Sequence, residues 1–166
     1  MKTIMTTLLF LSCAQDADSP EFQRWSAVKV GSWAKFKSEI ENKGVKTVLP
    51  VEITYTLLEA DEKKVVVEEV TMNLLAPKDS PKQEKARKKT YNAKISKKDA
   101  VDKEGDEELE VGGKKLACHW TETKTNAGSI KAWVCPEVPG GIVRLEVGLP
   151  GLTSLQRLNL QTWEKK

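Results

Sequence analysis

The chain is short of the residue types that most chemistry needs. Its 166 residues include one histidine, His119, and three cysteines. A lone histidine with no nucleophile motif beside it gives no Ser-His-Asp or Cys-His arrangement. Cys118 and His119 are neighbours, so on a strand they point to opposite faces and do not chelate one metal together. No glycine loop of the phosphate-binding type is present. These absences lead to an expectation of no catalytic residue, no metal site and no cofactor. Charge of one sign is also missing in bulk: 27 Lys and Arg against 24 Asp and Glu give a net +3, too little to draw the chain to nucleic acid. The basic stretch Lys78–Lys98 holds Tyr91 as its only aromatic, whereas single-strand binding interleaves several. No nucleic-acid partner is expected, and the basic stretch reads as a solvated loop beside the acidic run Asp99–Glu110 rather than a contact for anionic headgroups.

The amino terminus carries the first positive signal. Met1-Lys2 precedes a short apolar run, Ile4–Leu11, far below the about 20 residues that span a bilayer. Phe10-Leu11-Ser12-Cys13 resembles a bacterial lipobox, which implies lipidation of Cys13 as the first mature residue. An ordinary secretory signal, or a cytosolic terminus with an incidental cysteine, are the alternatives. On the lipobox reading residues 1–12 are a signal peptide, 13–19 a tether and 20–166 a single β-rich domain. The implied location is the bacterial cell envelope, with the membrane as partner through the lipid anchor. Ala14, where retention signals carry Asp, favours an outer-membrane lipoprotein facing the periplasm.

Past the tether, Ser19-Pro20-Glu21 reads as a helix start: a capping hydroxyl, proline at the first helical position and an acid at the positive helix end. Phe22 and Trp25 then share a face of one short helix. From Gly31 the apolar period becomes two. Ala34, Phe36 and Ile40 alternate with charged residues. So do Val51, Ile53, Tyr55 and Leu57, and then Val66, Val70, Met72 and Leu74. Ala76–Lys89 reads mainly as an exposed loop, Thr90–Ile95 as a strand with Tyr91, Ala93 and Ile95 inward, and Ser96–Asp106 as polar connection. Gly112-Gly113 is a two-residue hairpin turn. Alternation resumes at Lys114–Thr123, at Val143, Leu145 and Val147, and in Thr153–Trp163. The fold class is mainly β: a curved antiparallel meander, an open or half-barrel sheet, with one short N-terminal helix. If a ligand binds, the apolar face of Val51, Ile53, Tyr55, Leu57, Val66, Val70, Met72 and Leu74 is the candidate surface.

The densest stretch is Leu116–Val147. A turn at Asn126–Ser129 sets Trp120 opposite Trp133, Glu122 opposite Lys131 and Cys118 opposite Cys135. Opposed Cβ atoms lie about 4.5–5.5 Å apart, close to what a disulfide requires. In an oxidising envelope a Cys118–Cys135 bond is expected, with two buried free thiols as the alternative. His119 points to the other face, between Ala117 and Thr121. The five tryptophans read as core and sheet cover before they read as a ligand groove.

Val30-Gly31-Ser32-Trp33, Glu110–Leu116 with Cys118, and Trp133 followed by Val138–Val143 resemble a group of uncharacterised exported bacterial proteins. These share a Gly-x-Trp strand start and a Val-Pro-Gly-Gly turn. More distantly the layout is similar to LolA/LolB-like envelope carriers. That resemblance implies a curved sheet whose concave apolar face holds acyl chains, with lipid or an envelope protein as partner. The residues themselves support a non-catalytic binding or structural module of the envelope, with a LolA-like carrier of lipid or acyl chains as the alternative.

Overall fold

Period-two alternation becomes one antiparallel sheet. A computed structural model describes residues 17–42, 44–75, 85–95, 101–125, 128–148 and 154–166; Cys13 lies outside them. The elements are β1 (Ala17–Asp18), α1 (Pro20–Ser26), β2 (Trp33–Asn42), β3 (Val45–Ala60), β4 (Lys64–Asn73), β5 (Lys85–Asn92), β6 (Lys94–Ile95), β7 (Lys103–Val111), β8 (Lys114–Thr125), β9 (Gly128–Val134), β10 (Ile142–Gly148) and β11 (Ser154–Glu164). Nine strands form an unclosed sheet in the order β5-β4-β3-β2-β11-β10-β9-β8-β7. Two meanders, β2 to β5 and β7 to β11, are joined where β2 pairs with β11. β1 pairs separately with β6.

The two ends of the sheet are the two strands that alternation reveals only in part. β5 falls partly in the stretch read as loop, and β7 begins in the stretch read as polar connection. Each has a single neighbour in the sheet, β4 and β8 respectively. Each carries charge where a central strand would carry an apolar face. Charged side chains are a common protection of a sheet edge against pairing with another chain. Here lysines and an arginine line β5, and acids line β7.

Helix α1 forms as its residues dictate. Ser19 caps it, its hydroxyl accepting from the Phe22 amide at 3.2 Å, and Pro20 opens its first turn. Its apolar side packs on the β3–β4 end of the sheet. Trp25, Val28, Leu57, Val65 and Val67 form a buried cluster with Phe22, Tyr55 and Tyr91 against it. A second cluster joins Phe36, Leu109, Leu116, Trp133, Val143 and Leu160. It gathers side chains from β7 and β8 with those of β2 and β11, so the sheet is strongly coiled. Lys114, just past the Gly112-Gly113 turn, places its ammonium 5.2 Å from the centre of the Trp163 ring on β11.

The hairpin register is as the turn position requires: Trp120 stands opposite Trp133 and Glu122 opposite Lys131. The expected disulfide is absent. Cys118 and Cys135 are both free and buried. The ladder between β8 and β9 ends at His119–Val134, and one residue further the chain has turned away. The Cys135 amide donates instead to the Gly141 carbonyl at 2.7 Å, and the Cys118 thiol donates to the Leu116 carbonyl at 3.4 Å. Burial, reinforced by the neighbouring Cys135, pushes the Cys118 thiol up to about 11.

A candidate ligand cavity beneath the helix

Two adjacent cross-strand rows give the sheet its two faces. On one face Lys103, Glu122, Lys131, Glu146, Arg157 and Glu39 stand opposite one another from β7 to β2, alternating in sign at every step. Arg157 donates to Glu146 at 2.6 Å and also to Glu41. The Lys131 ammonium lies over both tryptophan rings, 3.9 Å from the centre of Trp120 and 4.5 Å from that of Trp133. The Trp133 indole N–H donates to Glu107 at 2.6 Å. The paired tryptophans therefore clamp a cation and cover the sheet.

The next row, one residue along each strand, faces the other way. Thr121, Ala132, Leu145 and Leu158 are directly opposed across β8, β9, β10 and β11. They form the floor of a cavity of about 1270 Å³, to which Phe36, Ile130 and Val134 also contribute. Pro20, Glu21, Arg24 and Trp25 of α1 line it, with Pro139 and Gly140 of the β9–β10 turn. Both edges of the sheet border it. Lys89 and Tyr91 come from β5, and Glu104, Asp106, Glu107 and Glu108 from β7.

The Val-Pro-Gly-Gly turn brings the helix into place. Gly140 and Gly141 have φ of +71° and +74°, in the left-handed region where a Cβ is disfavoured. A Cβ on Gly140 would lie 2.5 Å from the Trp25 ring, and one on Gly141 would overlap Cδ of Arg24. The turn thus redirects the chain and also lets α1 lie directly against it. Trp25 joins the two contacts of α1: it packs with Leu57, Val65 and Val67, and its ring also lies against Gly140.

Between α1, β4 and β5 sits a buried carboxylate. Glu69 is 5% exposed and pairs with Lys89 at 2.5 Å and Arg87 at 2.9 Å. Burial raises its affinity for a proton, but Lys89, the Tyr55 hydroxyl and Arg87 outweigh that, and its carboxyl is held below the usual range. Burial beside Glu69 pushes the Tyr55 hydroxyl well above the usual phenol range. Tyr55 stays a neutral donor, and Glu69 a satisfied anion.

His119 lies on the cavity side, as its strand parity requires. Its Nδ1 is 3.0 Å from Asp106 and its Nε2 3.6 Å from Glu104. The hydrogen bond to Asp106 and the nearby acids raise its pKa. Asp106 is within hydrogen-bond reach of Nδ1, whereas Glu104 lies beyond that reach of Nε2, and half of the imidazole side chain is exposed. Among the described residues no group of three His, Cys, Asp or Glu side chains is placed to hold a metal ion. No helix among them is long and apolar enough to cross a membrane.

Of the eight residues expected on one apolar face, Tyr55 lines the cavity. Leu57 is buried beneath α1. Val51 and Ile53 share their side of β3 by alternation, opposite Asn73 and Thr71. Val66, Val70 and Met72 stand opposite Glu59, Thr54 and Glu52, on the other side of the sheet, and Leu74 is exposed beyond the end of β4. The two sets do not form one surface. Val65, Val66 and Val67 are all buried, and a run of three valines conceals which parity faces the helix. Glu69, which shares the face of Val65 and Val67, lies where an apolar pattern has no place for a carboxylate.

No family model matches the chain, and neither does any curated protein. Among solved structures it is similar to a DUF1329 family protein from Desulfovibrio piger, at 8% identity and a TM-score of 0.34, over 89% of this chain and 90% of that one.

Proposed function

We propose that the protein is a non-catalytic binding module that holds an acyl chain in the cavity between α1 and the sheet. The observation that supports this most is the apolar row Ala132, Leu145 and Leu158 exposed to a cavity of about 1270 Å³. Pockets for small molecules are typically about 300–1,000 Å³, so there is room for a long chain. A lipid carrier, of the kind the LolA/LolB resemblance implies, is this function with a delivery step added. Delipidated protein is expected to take up a fluorescent fatty acid. Each buried methylene is worth about 0.8 kcal/mol, so shortening the chain by two carbons weakens binding on the order of tenfold. Leu145→Arg in the floor should abolish uptake in a protein that still unfolds cooperatively. Folded wild-type protein that takes up no chain of any length would refute the reading.

The envelope setting is part of the same proposal and rests on Phe10–Cys13 alone. Replacing the thiol in Cys13→Ser should move the protein from the membrane to the soluble fraction. Unchanged membrane association would remove the anchor while leaving the cavity reading intact.

A further inference from the structure

The cavity lining contains one group whose interactions are incomplete. A guanidinium carries five N–H donors and is always charged. Arg24 makes one ion pair, to Glu21 at 3.3 Å through Nη2. Its Nε is sealed on all sides and has no hydrogen-bond partner among the described residues, so the donors a ligand can reach are the terminal Nη groups. The side chain is 23% exposed and its one ion-pair partner 43% exposed, which leaves that end of the guanidinium open. The position is a built one: Gly141 has no side chain where the Arg24 stem passes, and Val134 closes the same spot. Of the other basic groups of the lining, Lys89 is already committed to Glu69 at 2.5 Å and His119 to Asp106 at 3.0 Å.

We propose that the cavity takes a monoanionic amphiphile, a long-chain carboxylate, with its headgroup against Arg24 and its chain along the row from Val134 and Ala132 to Leu145 and Leu158. This rests on the reading of the cavity as an acyl-chain site and adds the chemistry of the headgroup. The charge of the lining fixes the orientation. Four acids, Glu104, Asp106, Glu107 and Glu108, line the β7 rim, against Glu21 alone at the α1 side, where Arg24 pairs with it; an anion is repelled more strongly from β7, so the acid lies at the α1 side and the tail on the apolar floor. Burial depresses the Arg24 pKa more than Glu21 and Tyr91 raise it, consistent with a cation that still lacks a full counter-charge. A carboxylate presents two acceptor oxygens to the donors that Glu21 leaves open.

The test compares palmitate with hexadecanol, equal in chain length and different in charge, at pH 8 on the full chain. Wild-type protein should bind the acid on the order of tenfold more tightly than the alcohol, as a charge-assisted hydrogen bond implies. Arg24→Met should bind both equally, losing the preference for the acid. Arg24→Gln supplies a second neutral side chain should methionine disturb the packing. Equal affinity for acid and alcohol in the wild type overturns the headgroup assignment and leaves the cavity reading standing. A preference for the acid that survives in a folded neutral variant also overturns it. Binding of neither ligand by the folded wild type sinks both readings together.

Discussion

The six strands from β7 to β2 carry two adjacent rows with opposite characters. The row from Lys103 to Glu39 alternates positive and negative at each strand, and every member faces an opposite charge. The row beside it, Thr121 to Leu158, is largely apolar and looks into a cavity. The charged face meets most of its own needs: Arg157 is paired with Glu146 and Glu41, and Lys131 is laid over two indole rings. The cavity face is unfinished, with apolar floor left open and an arginine short of partners. Function is better sought where the chain leaves chemistry unsatisfied than where charge is most abundant.

Two substitutions break the contrast from either side. The larger effect is expected at the turn that seats the helix. Gly141→Val puts a branched side chain at a left-handed φ, and its Cβ overlaps the Arg24 stem. Strain and overpacking together should cost about 3 kcal/mol or more, read as a lower urea midpoint, with α1 displaced and acyl-chain uptake lost. Gly113→Ala is the matched control. Its φ is +77° but nothing lies within 4 Å of the new Cβ, so about 1 kcal/mol is expected, with uptake intact. Equal losses at the two positions would show that helix seating plays no part. The smaller effect belongs to the charged row. Lys131→Glu sets three acids side by side and empties the tryptophan clamp. A half-exposed row of this kind should lose roughly 1 kcal/mol, partly recovered in high salt, with acyl-chain affinity unchanged. Lost affinity would mean that the two faces are not independent.

The sequence discloses one face of this contrast better than the other. Trp120, Trp133, Glu122 and Lys131 fall into register from a single turn position, because a hairpin's pairing is local and period two fixes its faces. Helix α1 is equally local: Ser19, Pro20 and the spacing of Phe22 and Trp25 suffice. The cavity is not local. It is assembled by the β2–β11 pairing and by α1 lying on a turn more than a hundred residues later in the chain, and neither leaves a periodic trace. The valine run 65–67 hides its parity, and the buried Glu69 looks like a surface residue until Tyr55, Arg87 and Lys89 are seen around it. The edge strands β5 and β7 are obscured for another reason: the charges that protect an edge also erase the apolar alternation by which strands are recognised. Glycines 140 and 141 are conspicuous in the sequence as a turn, but their lack of side chains matters because of residues 24 and 25.

The sheet also stops short of closing, and its two free edges border the same cavity. In a closed barrel the strand number and shear fix the interior, and a larger guest requires broken ladder bonds. Here, among the described residues, no ladder closes the interior between β5 and β7. Helix α1 packs instead on β3, β4 and β5 and against the glycine turn. The lining is therefore completed by the side-chain packing of a helix, where a barrel would use backbone hydrogen bonds.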